Sequence, residues 1–307
     1  MLAYAWIPIV LWSALAQTAR NAAQRSLVAT AGTLGATLSR FLYGVPFAAA
    51  WVALLNAIPA THGDVPHFGP GYVLWLTVGA LGQLAATVCL LAAMKQRNFV
   101  VGVAFSKTDA LQVALFGSLF LHELPGWLVM VAIAIATTGV VLLSLPRKVH
   151  VLAEGGVRSW AGLAALYGLG SGAGFALSAV GYRGAALQLP AVSPWLIGAW
   201  GVLWAQLLQS VLLGGWLAWR APQSIRAIVH AWKVSLAAGG AGALASIGWF
   251  TAFALTSAAN VRTLGIVEVV FSYLVSRRLM RERLTPMESA GLVLVGLGMV
   301  VLCLQLR

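Results

Sequence analysis

The sequence predicts an all-α integral membrane protein, with ten transmembrane helices laid out as two inverted five-helix repeats. Three observations predict it. Apolar residues make up 61% of the 307 positions and charged residues only 8%, with a mean hydropathy of +0.90; that composition suits a bilayer as solvent. Basic residues gather in the connections on one side of successive apolar runs. The two halves of the chain also match each other at a constant offset.

A hydrocarbon core of about 30 Å takes roughly 20 helical residues to cross, and ten segments are long enough. The first, 3–20, opens on "MLAYAWIPIVLW", without a basic leader or a cleavage site, and is expected to be a retained span. The second, 30–56, carries Arg40 and also Pro46, which is expected to kink it by removing a backbone donor. The third, 71–93, holds Gln83 and Cys89. The fourth, 98–121, holds Lys107, Asp109 and Gln112, and the fifth is 126–145. The sixth, 160–182, contains "GLGSGAGFALSAVG", whose glycines at four-residue spacing (Gly168/Gly172, Gly170/Gly174) permit close helix approach. Span seven, 194–217, bears Trp200, Trp204, Gln206 and Gln209; span eight, 231–256, bears Trp249. Span nine, 260–279, contains Glu268, and span ten is 286–306. None of the runs alternates with period two, which favours helices over a barrel. The longest connections, 57–70 and 146–159, are too short for a soluble domain. One membrane domain is therefore expected, its first repeat in 1–148 and its second in 158–307.

Fourteen basic residues follow odd-numbered spans and three follow even-numbered ones. The positive-inside rule makes the odd connections cytoplasmic and puts both termini outside. The formal charge of +12 is thus a topological signal, and no nucleic-acid partner is expected. Cys89 and Cys303 lie in apolar runs and make neither a disulfide framework nor a zinc site. "HGDVPH" (62–67) reads as a turn, not a metal site. There is no HExxH, GxSxG, P-loop or dinucleotide motif. No enzymatic activity, cofactor or nucleotide-driven pumping is expected.

Residues 105–145 lie over 264–304 without gaps at an offset of 159, which places Asp109 on Glu268, Glu123 on Glu282 and Gly139 on Gly298. Five spans per half, an odd number, gives the halves opposite orientations. In each half an acid inside an apolar span is followed fourteen positions later by the glutamate of a short turn ("HEL" and "RERL") and then by a glycine-containing span. This pattern resembles the paired EamA-type repeat of the drug/metabolite transporter superfamily. The resemblance implies a ten-helix secondary transporter, often an exporter of amino acids or other metabolites, whose inverted halves enclose a central cavity. It also implies a bacterial inner-membrane location. Two features depart from the family. Its usual proline after the acidic position is replaced by Ala110 and Val269, which predicts straighter spans, and its termini are usually cytoplasmic.

Arg40, Lys107, Asp109 and Glu268 are ionisable groups inside spans, where a charge needs a partner, a cavity or neutralisation. The expected substrate site is built on Glu268, Asp109 and Arg40, with Gln112, Phe271 and Trp204 beside them. Glu268 is placed to exchange protons, and Arg40 to pair with either acid or with a substrate carboxylate. Lys107 and Asp109 point about 200° apart on an unbroken helix, so they cannot share a face. Two cations and two anions sum to zero, which suits a neutral or zwitterionic metabolite. The expected partners are a small-molecule substrate, protons, the lipid bilayer and a second copy of the chain as a homodimer. The alternatives are a non-transporting scaffold or lipid-handling protein, and an exporter of lipophilic cations.

Overall fold

The computed structural model describes residues 4–58, 65–96, 103, 106–144, 157–279 and 286–304. Among them the chain is helical with no strand. The helices are α1 (Trp6–Leu42), α2 (Val45–Ala57), α3 (Pro70–Gln96), α4 (Asp109–Leu121), α5 (Trp127–Ser144) and α6 (Val157–Leu187). They continue with α7 (Pro194–Arg220), α8 (Pro222–His230), α9 (Trp232–Leu255), α10 (Ala258–Leu264), α11 (Glu268–Leu279) and α12 (Pro286–Leu304). Proline opens several of them in the first turn, where its missing N–H has no intrahelical partner to lose. Pro46 acts in this way: it starts α2 after the break at Tyr43 and Gly44.

Five helical stretches are long and apolar enough to cross a membrane: Trp6–Ala57, Pro70–Lys95, Pro194–Arg220, Trp232–Leu255 and Ala258–Val275. The first of these covers both of the first two expected spans. The helices at Asp109–Leu121, Trp127–Gly139 and Ser289–Gly298 are apolar but shorter. Large apolar side chains such as Leu74, Leu119, Val211, Trp219 and Val293 point outward, whereas Gln17, Arg20, Asn21 and Gln24 are buried. Hydrocarbon is the solvent in which such a surface is at rest.

The turn between the first two expected spans is not at 21–29. Within α1 only Gly32 departs from helical geometry (φ 71°, ψ 171°). Residues twelve apart on a straight helix sit about 18 Å apart, yet Gln24 Nε2 donates to the Ala36 carbonyl at 2.8 Å. The chain therefore doubles back at Gly32, whose missing Cβ permits the left-handed φ. Arg20 and Arg25 consequently lie in a helical arm and not in a loop.

Both acid-bearing spans leave regular α geometry just before the acid, with Thr108, Leu264, Gly265 and Glu268 keeping right-handed helical backbone angles. Lys107 and Thr108 form a turn and α4 begins at Asp109; residues 265–267 form a 3-10 turn and α11 begins at Glu268. Proline is not needed here, because Gly265 lets the Trp249 ring press against this turn, where a methyl would lie 2.7 Å from it.

The offset of 159 carries over to the helices. It maps α4 onto α11 and α5 onto α12 to within a residue at each end, and α3 onto α9 to within three. Helices of one half pack on those of the other: α1 on α9, α3 on α6 and α5 on α12. The α5–α12 crossing is reciprocal. A methyl on Gly139 would lie 2.9 Å from the Val295 amide, and one on Gly298 would lie 3.0 Å from the Ala136 amide. Gly139 and Gly298 are equivalent at that offset, as are Ala136 and Val295, so one contact is made twice with roles exchanged, as across a two-fold axis.

Candidate functional site

Glu268 is buried at the first position of α11 and is held by three donors. Gln17 Nε2 donates to Oε2 at 2.5 Å, Asn21 Nδ2 donates to Oε1 at 2.7 Å, and the Lys107 ammonium pairs with Oε2. Gln17 Oε1 in turn accepts from Trp249 Nε1 at 2.9 Å. Asn21 Oδ1 accepts from Arg20 Nη2 at 2.5 Å, so one amide links Arg20 to Glu268. Asp109, fully buried at the start of α4, takes Arg262 as its partner, with Nε 2.6 Å from Oδ2 and Nη2 on the same oxygen. Its Oδ1 has no partner among the described residues. The guanidinium of Arg262 lies 5.2 Å from the Trp249 ring centroid and 5.4 Å from that of Phe175.

The two ion pairs cross between halves: Lys107 of the first half holds Glu268 of the second, and Arg262 of the second holds Asp109 of the first. Lys107 and Asp109 thus take different partners, in keeping with the expected divergence of their side chains.

Arg40 does not pair with either acid. Its Nη1 donates to Thr87 Oγ1 at 2.8 Å, and its Nε has no partner among the described residues. The expected zero charge balance is corrected as well. Arg20 and Arg262, assigned to connections by the sequence, are 0% and 4% exposed. Among the described residues the interior therefore holds four cations (Arg20, Arg40, Lys107 and Arg262) and two anions (Asp109 and Glu268). Moving Arg20 and Arg262 inward removes one basic residue from each side of the charge comparison and leaves its sense unchanged.

The other expected site residues are dispersed. Gln112 is half-buried one turn after Asp109 and bonds Thr108 Oγ1 at 3.4 Å. Gly172 admits this turn, since a methyl there would lie 3.1 Å from Gln112 Nε2. Phe271 is half-buried on α11. Trp204 is 41% exposed, with its ring against Trp200 and Phe68 and not among the charges. Gln83 and Gln209 bond each other at 2.9 Å, a hydrogen bond between α3 and α7. Both side-chain amide atoms of Gln206 lack partners among the described residues. Phe105, Glu282, His62, Asp64 and most of the 277–283 arginine cluster lie outside the described residues or side chains.

A narrow cleft, with room for about one water, runs between the halves along Gln17, Gln83, Tyr182, Trp249 and Arg262. The partners of the acids line it, and the acids do not. A wider cavity of about 400 Å³ opens between α1 and α3, walled by Arg25, Val28, Leu91, Met94 and Lys95. At the other end of the molecule α4 stops at His122, whose left-handed φ of 55° turns the chain. Glu123 then meets Arg183 Nε of α6 at 2.7 Å, while Arg183 Nη1 donates to the Phe253 carbonyl of α9 at 2.8 Å. Arg183→Met is expected to cost about 1–3 kcal/mol, the range for a charged hydrogen bond. Thermal unfolding in detergent, run as a double-mutant cycle with Glu123→Gln, checks the share due to this pair.

The fold has been seen before. A solved structure described as "Crystal structure of protein" superimposes with a TM-score of 0.66 over 98% of this chain and 97% of that chain, at 15% identity. At that identity the likeness is one of fold alone. No protein-family model matches the sequence, and no curated protein matches it.

Proposed function

We propose that the protein is a ten-span secondary transporter of the EamA type, in a bacterial inner membrane, that moves a small metabolite by alternating access of two inverted five-helix halves. It carries no enzymatic activity. The observation that carries this reading is the reciprocal pairing of Lys107 with Glu268 and Arg262 with Asp109, each across the boundary between halves and each beside a short departure from regular α geometry. Rocking of one half on the other separates these pairs, so their strength sets the balance between the two states. The equivalence of α4 with α11 and of α5 with α12, and the reciprocal α5–α12 crossing, support the repeat. A passive scaffold gains nothing from six buried charges.

In this conformation the larger cavity opens between Arg25 and Lys95, on the side the charge rule makes cytoplasmic, and Arg183 ties the opposite end. With Leu91 and Met94 buried behind the cavity, that is the arrangement of a carrier whose centre is occluded and whose inner end is the wider. A proton on Glu268 would release Lys107 and favour the opposite state. The test compares solutes inside and outside cells that express wild type or Glu268→Gln at matched membrane abundance. Wild-type cells are expected to export a solute that the variant retains. Equal export by both removes Glu268 from the mechanism, and no difference from empty cells for any solute favours a scaffold.

A further inference from the structure

Of the four interior cations, two are committed to the interior acids. Arg20 and Arg40 are left with neutral partners, Asn21 and Gln17 for the first and Thr87 for the second. Among the described residues neither has a carboxylate within ion-pair distance. Both are at most 1% exposed. An arginine does not shed its proton at physiological pH, and a buried charge without a counter-ion is costly.

The two side chains also share one niche. A methyl on Gly242 of α9 would lie 3.0 Å from Arg40 Cγ and 3.3 Å from Arg20 Cδ, so both stems cross the same glycine. The two cationic side chains are packed stem beside stem, and Arg40 Nε lacks a partner among the described residues. This niche lies along the same face of α3 as the cavity wall. Thr87, Leu91 and Lys95 follow one another at helical spacing along α3, so the wall that starts at Lys95 in the 400 Å³ cavity leads to the Thr87 hydroxyl that holds Arg40. Leu91 and Met94, both buried, close the way in this state.

We propose that the transported solute is an anion, whose carboxylate or phosphate group is held in the forks of Arg20 and Arg40 and enters past Arg25 and Lys95. The proposal rests on the transporter reading above and narrows it from a neutral or zwitterionic metabolite to an oxyanion. The bound anion supplies the charge that the interior lacks, and planar guanidinium groups suit two-point contact with such a group.

The test uses the full chain in nanodiscs of uncharged lipid, with thermal unfolding as the readout. The probes are lactate, succinate, inorganic phosphate, glucose 6-phosphate, alanine as a zwitterion and tetraethylammonium as a cation. At least one anion is expected to raise the wild-type Tm saturably, with alanine and tetraethylammonium inert. Arg40→Met should weaken that anion by about tenfold or more, and Arg40→Lys by less. Without ligand, Arg40→Met should be at least as heat-stable as wild type, because it removes an uncompensated charge; a structural arginine would give the opposite result. The proposal is overturned if no anion stabilises, if Arg40→Met leaves the anion's affinity unchanged, or if stabilisation requires phosphatidylglycerol in the discs, which would make the ligand a lipid headgroup. Uptake into proteoliposomes separates the two readings. An anion that binds at Arg40 but is not moved leaves the site and removes the transporter; a zwitterion that is moved leaves the transporter and removes the anion.

Discussion

Glu268→Leu is expected to lower stability by about 3–5 kcal/mol, the cost of stranding one member of a buried ion pair. Lys107, 2% exposed, would be left without its carboxylate, and Gln17 and Asn21 would each lose an acceptor. The double variant Lys107→Met/Glu268→Leu is expected to recover most of that stability, since matched apolar replacement of a buried pair is often neutral or better. Under the proposed mechanism it should nevertheless transport nothing, because that mechanism makes the pair the element that differs between two states. Thermal unfolding and transport, measured on both variants, therefore move apart. If the double variant is as unstable as the single one, the pair is not the source of the loss.

The second large effect is expected at the α3–α6 crossing. A methyl on Gly174 would sit 2.8 Å from the Gly82 carbonyl oxygen and 2.9 Å from the Ala86 amide nitrogen, both backbone atoms that cannot swing aside. Gly174→Leu should force the two helices apart and cost more than about 3 kcal/mol, above the usual range for overpacking. Gly170, four residues earlier on the same helix, has only Cys89 Sγ at 3.6 Å. Gly170→Leu should be neutral or gain up to about 1 kcal/mol from helix propensity. Folded yield after detergent extraction checks both. Equal losses at the two positions would mean that the crossing is not made by backbone contact at Gly174.

Asp109 and Glu268 were legible in the sequence because a charge inside an apolar run stands out whatever the fold. Their partners were not. Lys107 pairs with a residue 161 positions away, and only the packing of one half on the other decides which cation meets which acid. Arg20 was read as a loop residue because basic residues mark membrane edges. The available signal was the run Gln17, Arg20, Asn21 and Gln24, a polar face at helical spacing that continues through the supposed loop. Arg262 gave no such sign, being one basic residue near a span end. The turn at Gly32 was missed for a related reason: charge placed the boundary, whereas a glycine at positive φ made it.

The crosswise pairing also has a consequence for synthesis. When the first half leaves the ribosome it already carries Arg20, Arg40, Lys107 and Asp109, while Arg262 and Glu268 are encoded some 150 residues later. At about 5–20 residues per second the wait is on the order of ten seconds. Through that interval a half-made protein holds three of the cations against a single acid, with neither cross-half partner in place. The insertion machinery or transient water must shelter them until the second half arrives, so biogenesis, and not the finished fold, is where this sequence is most exposed to failure.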